Sequence, residues 1–405
     1  MLLSLAWRNI WRNKRRTLIT VTALALGVTA IVSIHSYRES VYSVLVQEIT
    51  AGLVGDLQVH GKGYQADPEI ATVVHQPELV EATLAKALPH SKPMRRVVGY
   101  VLAASGEAST AALVVGFQPD REQGNQSPLT LTAGHNLADV PHKEAVIGRE
   151  LAQQLSAQPG SELVLVGQGA DGSVANDRFT IVGVADAGSA ELNASAVFLH
   201  VADAQDFFAL GDGVNQIIVH LAASEEDVTA PETSLKSALD LNTLEVLSWN
   251  EILPELRNTM TQKRQQQHFV DLVVILIVGL GVLNAMTMST FERTRELGVL
   301  AALGTRRRRL LALIFCEALL QGLVGCVAGT ALAAGIVFSL GTIHLGAMSQ
   351  NDIMGVRFPA VVVMKIYGTG VISAAATAFL TVTAGGLWPA IRASRLEPVE
   401  AMRHV

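Results

Sequence analysis

Polar and apolar positions are unevenly spread along this chain. Four runs are almost purely apolar, and a long stretch between the first two alternates or recurs with helical spacing. A helix rises about 1.5 Å per residue and bilayer hydrocarbon is ~30 Å thick, so roughly 20 apolar residues cross it. The pattern predicts four such helices, over residues 17–36, 269–289, 310–340 and 366–388. It leaves a large water-facing domain with helical stalks over 37–268 and a short loop over 341–365. The first run also has the look of a signal peptide, but "HSYRESVYSVLVQ" follows it with no small-residue cleavage pattern, which favours an uncleaved span.

The long stretch reads as mixed α and β. "RRVVGYVLAAS" and "STAALVVGF" predict a hairpin turning at Gly106. "EAVIGRELAQQL" predicts a strand ending at Gly148 and then a helix; "AVFLHVADAQDFFAL" repeats that order, with Asp203 at or near the helix start. Two further strands flank the Gly/Asp/Asn-rich turn of "ELVLVGQGADGSVANDRFTIVGVAD". "NQIIVHLA" and "TLEVLSW" are short strands, with a helix between them that Pro231 is suited to open. From Glu251, helical spacing predicts one stalk, with Pro254 near its start, running straight into the second apolar run. Tyr37 to Thr50 forms a matching stalk after the first run.

Composition fits this division. The 405 residues are 50% hydrophobic and 16% charged, too apolar for an ordinary soluble chain and too polar for a wholly membranous one. Charge then sets orientation. Arg8, Arg12, Lys14, Arg15 and Arg16 precede the first run, Arg293, Arg295 and Arg306 to Arg309 follow the second, and Arg392, Arg395 and Arg403 follow the fourth. Four spans put all three clusters on one side, and cationic loops stay in the cytoplasm. Residues 40–260 carry 28 acidic and 11 basic residues, a net of −17, whereas the rest of a chain of total charge −6 is +11. Both cysteines, Cys316 and Cys326, lie in the third run, so no disulfide framework holds the outer domain.

Candidate chemistry is sparse. No HExxH, GxSxG or C-x-x-C occurs. His60, His75, His90, His135, His142, His200 and His220 have no metal-ligand spacing and read as surface or core histidines. No GxxxxGK[ST] is present, so any ATP-driven role needs an ATPase on another chain. Cofactors, metals and catalytic residues are expected to be absent here, as is a nucleic-acid partner.

The segment 290–309 carries more than a turn needs. In "FERTRELGVLAALGTRRRR", taken as a helix, Glu292, Glu296, Val299 and Leu303 fall within roughly a 60° arc. Arg293 and Arg295 sit three residues from Glu296 and Glu292, and Gly304 suits a C-terminal cap. Four consecutive arginines alone say no more than a headgroup anchor. Glu317 lies in the third run, eight residues after Arg309, where pairing or interfacial placement competes with a role in passage. Gly325 and Gly329 form a small-xxx-small pair suited to close helix packing.

"ERTRELGVLAALG" resembles the signature of the FtsX-like permease domain of MacB-type ABC transporters. The ending "WPAIRASRLEPVEAMR", with Pro389, Ala390, Ala393, Ser394, Pro398, Val399 and Ala401, is similar to that domain's close, and "LAWRNIWRNKRRTLITVTALALGV" to its N-terminal amphipathic helix and first span. The resemblance implies a membrane α-helical fold of four spans with a large α+β periplasmic domain, MacB-like, between the first two. Residues 1–16 become a cytoplasmic amphipathic helix, 290–309 a coupling helix and 389–405 a cytoplasmic tail. It implies mechanotransmission in a bacterial inner membrane. Cytoplasmic ATPases, which bind ATP and Mg, push on Glu292, Arg293, Arg295, Glu296, Gly298, Leu303 and Gly304, and the stalks carry the motion outward. Asn284 and Glu317 match polar positions of the second and third spans. Ala301 departs from the pattern, where relatives carry a basic residue. Expected partners are ATPase subunits, a second permease, a periplasmic chaperone or adaptor, and membrane lipids. A bare permease of this length, with "EITAGLVGDLQVHGKGY" after the first span, looks most like the lipoprotein-release branch. Efflux of drugs, peptides or toxins through an adaptor, and FtsX-type signalling to a periplasmic hydrolase, are the alternatives.

Overall fold

The computed structural model describes residues 2–12, 14–122, 129–221, 228–292, 299, 305, 307–344, 352–353, 356–357 and 361–394. The chain forms two compact units: Met1–Tyr42, Met260–His344 and Val361–Val405 in one, and Ser43–Thr259 with Leu345–Ala360 in the other.

Two helices open the chain, α1 (Leu2–Arg12) and α2 (Lys14–Ile49). A π turn, Thr50–Val54, ends the second, where Gly52 leaves helical geometry at φ −84°, ψ −125°. The outer unit then runs β1 (Leu57–Gly61), α3 (Pro77–Ala87), β2 (Lys92–Ser105), β3 (Ala108–Phe117), β4 (Thr130–Gly134) and β5 (Glu144–Gly148). It continues through α4 (Arg149–Gln154), β6 (Glu162–Gln168), β7 (Val174–Asp186), α5 (Ala190–Ser195), β8 (Ala196–His200) and α6 (Val201–Phe207). It ends with β9 (Gln216–His220), α7 (Thr229–Ala238), β10 (Leu244–Ser248) and α8 (Trp249–Ile252).

Among the described residues these strands make a 10-stranded mixed sheet in the order β10-β1-β9-β2-β3-β8-β5-β7-β4, with β6 bridging β2 and β7. The β2–β3 hairpin turns at Gly106, whose φ of 59° suits a residue without Cβ. Alternation along β2 buries Val97, Val101 and Ala103 and leaves Tyr100 and Leu102 outward. On one face of the sheet Phe117 meets Phe198 edge-on at 6.2 Å, and on the other, which α6 covers, Phe207 meets Phe208 at 4.8 Å. The helix α6 lies so close to the sheet that a Cβ on Gly116 would come within 2.6 Å of the Ala204 Cβ. The first and last strands pair antiparallel, Leu57 opposite Ser248, and the Trp249 N–H donates to the Asp56 carbonyl at 3.2 Å. The chain therefore enters and leaves this sheet side by side.

The exit stalk runs unbroken into the second apolar run as the sequence predicts, but it starts at Pro254, three residues later than Glu251. Ser248 and Glu251 form a capping box on α8, and the helix then breaks at Leu253 (φ −116°, ψ 66°). The ring of Pro254 excludes helical geometry from the residue before it and fits the first position of a new helix. That helix, α9 (Pro254–Glu292), runs 39 residues and contains the whole second apolar run.

The helical unit adds α10 (Arg307–Leu340) and α11 (Gly368–Ser394). Among the described residues two helices, Thr17–Ile49 and Arg308–Leu340, are long and apolar enough to cross a bilayer, and Gly368–Thr383 is a shorter apolar helix. The fourth run stays helical to Ser394, so the helix includes Pro389, Ala393 and Ser394. Residues 341–365, read from sequence as a plain loop, contain an antiparallel ribbon pairing Thr342–His344 with Val361–Val363. Val28, Ile31, Val32, Ala333, Ala374 and Ala378 form the core, with Val274 and Cys326 packed against it. The outside carries Leu26, Leu276, Ile277, Leu280, Leu323, Val327, Ile372 and Phe379, and Phe338 is 92% exposed. A belt of this size on a helix bundle marks a surface that meets lipid or protein rather than water.

Candidate functional site

Among the described residues α2 and α10 approach closely at two glycines. A Cβ on Gly325 would stand 2.7 Å from the Leu24 Cβ, and one on Gly329 would stand 2.6 Å from the Ala25 carbonyl oxygen. The two glycines are one helical turn apart and clear a groove in which α2 rests. Thr29 closes the contact: its Oγ1 donates to the Ala25 carbonyl at 2.7 Å and lies 3.0 Å from the Gly329 carbonyl. The single hydroxyl proton is within reach of both carbonyls, one from each helix, and can be shared between them as a three-centre bond.

Nearer the end of α2 the contact turns polar. His35 Nε2 lies 3.3 Å from Asp271 Oδ2 on α9, and Arg38 NH2 lies 3.1 Å from His35 Nδ1. Arg38 also reaches Glu39 Oε1 at 2.7 Å. A guanidinium only donates, so Nδ1 must accept. The proton of the neutral ring then sits on Nε2 and points at Asp271. Glu39, Arg38, His35 and Asp271 form a chain in which every link joins a donor to an acceptor. Close by, Ser40 Oγ accepts from the Lys365 N–H at 2.9 Å, which ties the end of the ribbon to α2. In the sequence Asp271 stands as an acid inside an apolar run, where an ionisable group needs a partner, and "HSYRES" supplies it.

Glu317 and Gln321, one turn apart on α10, are both buried, as is Thr381 on α11. Asn284 is exposed on α9.

The outer unit buries charge more deeply. Arg96 and Glu122 form a bidentate pair, each almost wholly enclosed, with the Arg96 guanidinium 5.8 Å from the Phe117 ring centre. Glu122 also accepts from the Gln118 N–H at 3.2 Å, pinning the turn after β3. His220 is buried and held down to a pKa of about 4, first by burial and then by the positive charges of Arg96 and Lys92. His60 stacks edge-on against Tyr64 at 5.1 Å and hydrogen-bonds Gln58 at 2.6 Å. Burial lowers its pKa to about 4 against the opposing pull of Glu245. Neither histidine was distinguishable from its neighbours in the sequence. Among the described residues no group of three or more His, Cys, Asp or Glu is placed to hold a metal ion.

Of the residues read as the coupling set, Arg293, Arg295, Glu296, Gly298, Leu303 and Gly304 lie outside the described residues, and so does Pro398. Glu292 is the last residue of α9, and its side chain also lies outside them. The structure brings together Gly325, Gly329 and the first span, which the spacing anticipated, and His35 with Asp271, which it did not.

An α+β domain carried between long apolar helices with a lipid-type outer belt defines a membrane protein with one large extramembrane domain. Residues 17–238 match the MacB-like periplasmic core domain, and residues 269–398 match the FtsX-like permease C-terminal domain. The chain belongs to this MacB/FtsX family of ABC transporter permeases. It is 25% identical to the macrolide export ATP-binding/permease protein MacB of Escherichia coli K12 over an alignment of 430 positions, covering 99% of this chain and 60% of that protein. The corresponding protein of Salmonella typhi is 26% identical, with the same coverage. The chain thus spans about three fifths of the length of these relatives. Among solved structures it is similar to the periplasmic region of MacB from Actinobacillus actinomycetemcomitans (14% identity, 50% of this chain, 92% of that one, TM-score 0.36). It is also similar to the extracellular domain of the ABC-type transporter YknZ (13%, 47%, 99%, TM-score 0.35).

Proposed function

We propose that the chain is the permease subunit of a mechanotransmitting ABC transporter in a bacterial inner membrane. It spans the bilayer four times, with both ends cytoplasmic and the sheet domain in the periplasm. The observation that carries this reading is the placement of a MacB-like domain between two family-matched membrane parts, joined to them by continuous helices of 36 and 39 residues. A continuous helix passes on an axial push or tilt that a flexible linker absorbs. Partner ATPases bind ATP and Mg, close, and move the segment around Glu292, Glu296 and Leu303. A second permease, identical or related, completes the assembly.

The cargo is handled outside the membrane, as a lipoprotein or similar lipid-anchored molecule drawn from the outer leaflet. The outward apolar side chains of Tyr100, Leu102 and Val174 support an apolar cargo or partner at the sheet. A second reading, export of small hydrophobic compounds with an adaptor, is favoured by the naming of the matched relatives as macrolide exporters. The test is Glu296→Lys in the reconstituted permease–ATPase complex. We expect normal assembly, with hydrolysis no longer linked to cargo release. Normal release at normal abundance sinks the coupling role. Mass spectrometry of what co-purifies with a hydrolysis-dead complex separates lipidated protein from small molecule, and finding a hydrolase alone instead points to FtsX-type signalling.

A further inference from the structure

The N-terminal helix α1 sorts its side chains into three distinct faces. At about 100° per residue its side chains order around the axis as pairs one turn apart. Ala6 and Ile10 are buried, and α1 packs on α10. Next around the helix come Trp7 and Trp11, 46% and 56% exposed, with their rings edge-on at 6.0 Å. Beyond the rings come Arg8 and Arg12, both exposed, and Lys14 and Arg15 follow at the start of α2, exposed as well. No acidic residue precedes Glu39. Thr17 Oγ1 donates to the Ile10 carbonyl at 2.8 Å and fixes the angle between α1 and the first span.

Each feature asks for a different layer of a membrane surface. The rings, large and apolar with one polar edge, suit the boundary between acyl chain and headgroup. The guanidiniums, one step further round, suit phosphate oxygens, which they grip in a planar fork. Leu18 and Ile19, exposed at the start of the first span, continue the apolar side. A free phosphate uses the arginines and leaves the rings in water; a phospholipid uses both. We propose that Trp7, Trp11, Arg8 and Arg12 form a binding surface for anionic phospholipid, so that the headgroup charge of the cytoplasmic leaflet seats α1 and, through Ala6 and Ile10, α10. This rests on reading α2 as a membrane span.

The test uses the full chain in nanodiscs, with brominated phosphatidylglycerol or brominated phosphatidylcholine as quencher. The signal of Trp7 and Trp11 is isolated by difference from the Trp7→Phe/Trp11→Phe variant. We expect half-quenching at an at least fivefold lower mole fraction of the anionic lipid, since a basic residue near a charged surface contributes about fivefold in affinity. Arg8→Gln/Arg12→Gln should erase that preference, Arg8→Lys/Arg12→Lys should keep part of it, and high salt should erase it in the native chain. Equal quenching by the two lipids, or a preference indifferent to both salt and the glutamine pair, overturns the proposal. So does displacement of the anionic lipid by inorganic phosphate at matched concentration. Quenching by neither lipid removes the membrane reading itself, a result distinct from equal quenching by both.

Discussion

The sheet unit and the helical unit are packed from different materials. In the sheet unit Phe179, Phe207 and Phe208 pack where α6 covers the strands, Phe117 and Phe198 fill the opposite face, and burial of their area out of water drives the packing. In the helical unit Ala318, Ala333, Ala374 and Ala378 sit at the contacts beside aliphatic side chains such as Leu24 and Ile31, Gly325 and Gly329 bring backbones together, and many other large side chains point outward. Lipid is as apolar as leucine, so burying large side chains yields little there, and close approach of small ones takes over. Charge divides the same way. The sheet unit encloses a whole ion pair, whereas His35, Arg38, Glu39 and Asp271 cluster near the end of an apolar helix, partly open.

The largest effect should come from the ion pair. Arg96→Met leaves the Glu122 carboxylate buried without its partner, which costs about 3–5 kcal/mol. Arg96→Met/Glu122→Leu removes both charges and should recover most of that loss. Thermal unfolding of the full chain, followed by the fluorescence of the buried Trp249, measures it. A double variant no more stable than the single one would mean that the pair holds the turn after β3 in a way that apolar side chains cannot.

Acid should separate the two units next. His60 and His220 stand at about 4 in the fold against an ordinary value of 6.5. The folded sheet therefore binds fewer protons than the unfolded chain. Its stability is complete above about pH 6.5 and falls as the pH drops towards 4, by up to roughly 3 kcal/mol for each histidine at ~1.4 kcal/mol per pH unit. His220→Asn should flatten half of that dependence between pH 6.5 and 4. An unchanged slope in the variant would place the proton uptake elsewhere.

Gly329→Leu probes the other unit. Its Cβ alone would press on the Ala25 carbonyl and on the Val28 side chain at 2.7 Å, so we expect a loss of about 1–3 kcal/mol in the helical unit, with the Trp249 transition unmoved. Gly335→Ala, where nothing lies within 4 Å, is the control and should gain up to about 1 kcal/mol from helix propensity. Equal behaviour of the two variants would show that the groove does not hold α2.

These contrasts were only partly open to the sequence. The β2–β3 hairpin, the strand-to-helix joint at Gly148 and the Gly325/Gly329 spacing are local patterns, each set by residues within a few positions, and all could be read directly. The break at Leu253 was also local: Pro254 was noticed, but its restriction of the preceding residue was not applied. The pairing of Arg96 with Glu122, 26 residues away, and of His35 with Asp271, 236 residues away, depends on where the fold brings the chain back, and no spacing encodes it. The ribbon after α10 was hidden for a related reason, because its two strands of three residues are too short to show alternation.

The His35–Asp271 contact offers the smallest and most exacting test. The orientation of the ring follows from Arg38, since a guanidinium facing Nδ1 forces the proton to Nε2. The alanine cycle of His35→Ala, Asp271→Ala and the double variant should return a coupling of about 1 kcal/mol, the usual net value of one partly buried hydrogen bond. The choice of side chain at 35 then sharpens the result. Glutamine both donates and accepts, as a neutral imidazole does, so His35→Gln should keep most of the stability. Lysine only donates; it can satisfy Asp271 but sets a second cation against Arg38, so His35→Lys should lose it despite the added charge opposite Asp271. If lysine serves as well as glutamine, the contact is a simple ion pair, and the link through Arg38 to Glu39 has no part in joining α2 to α9.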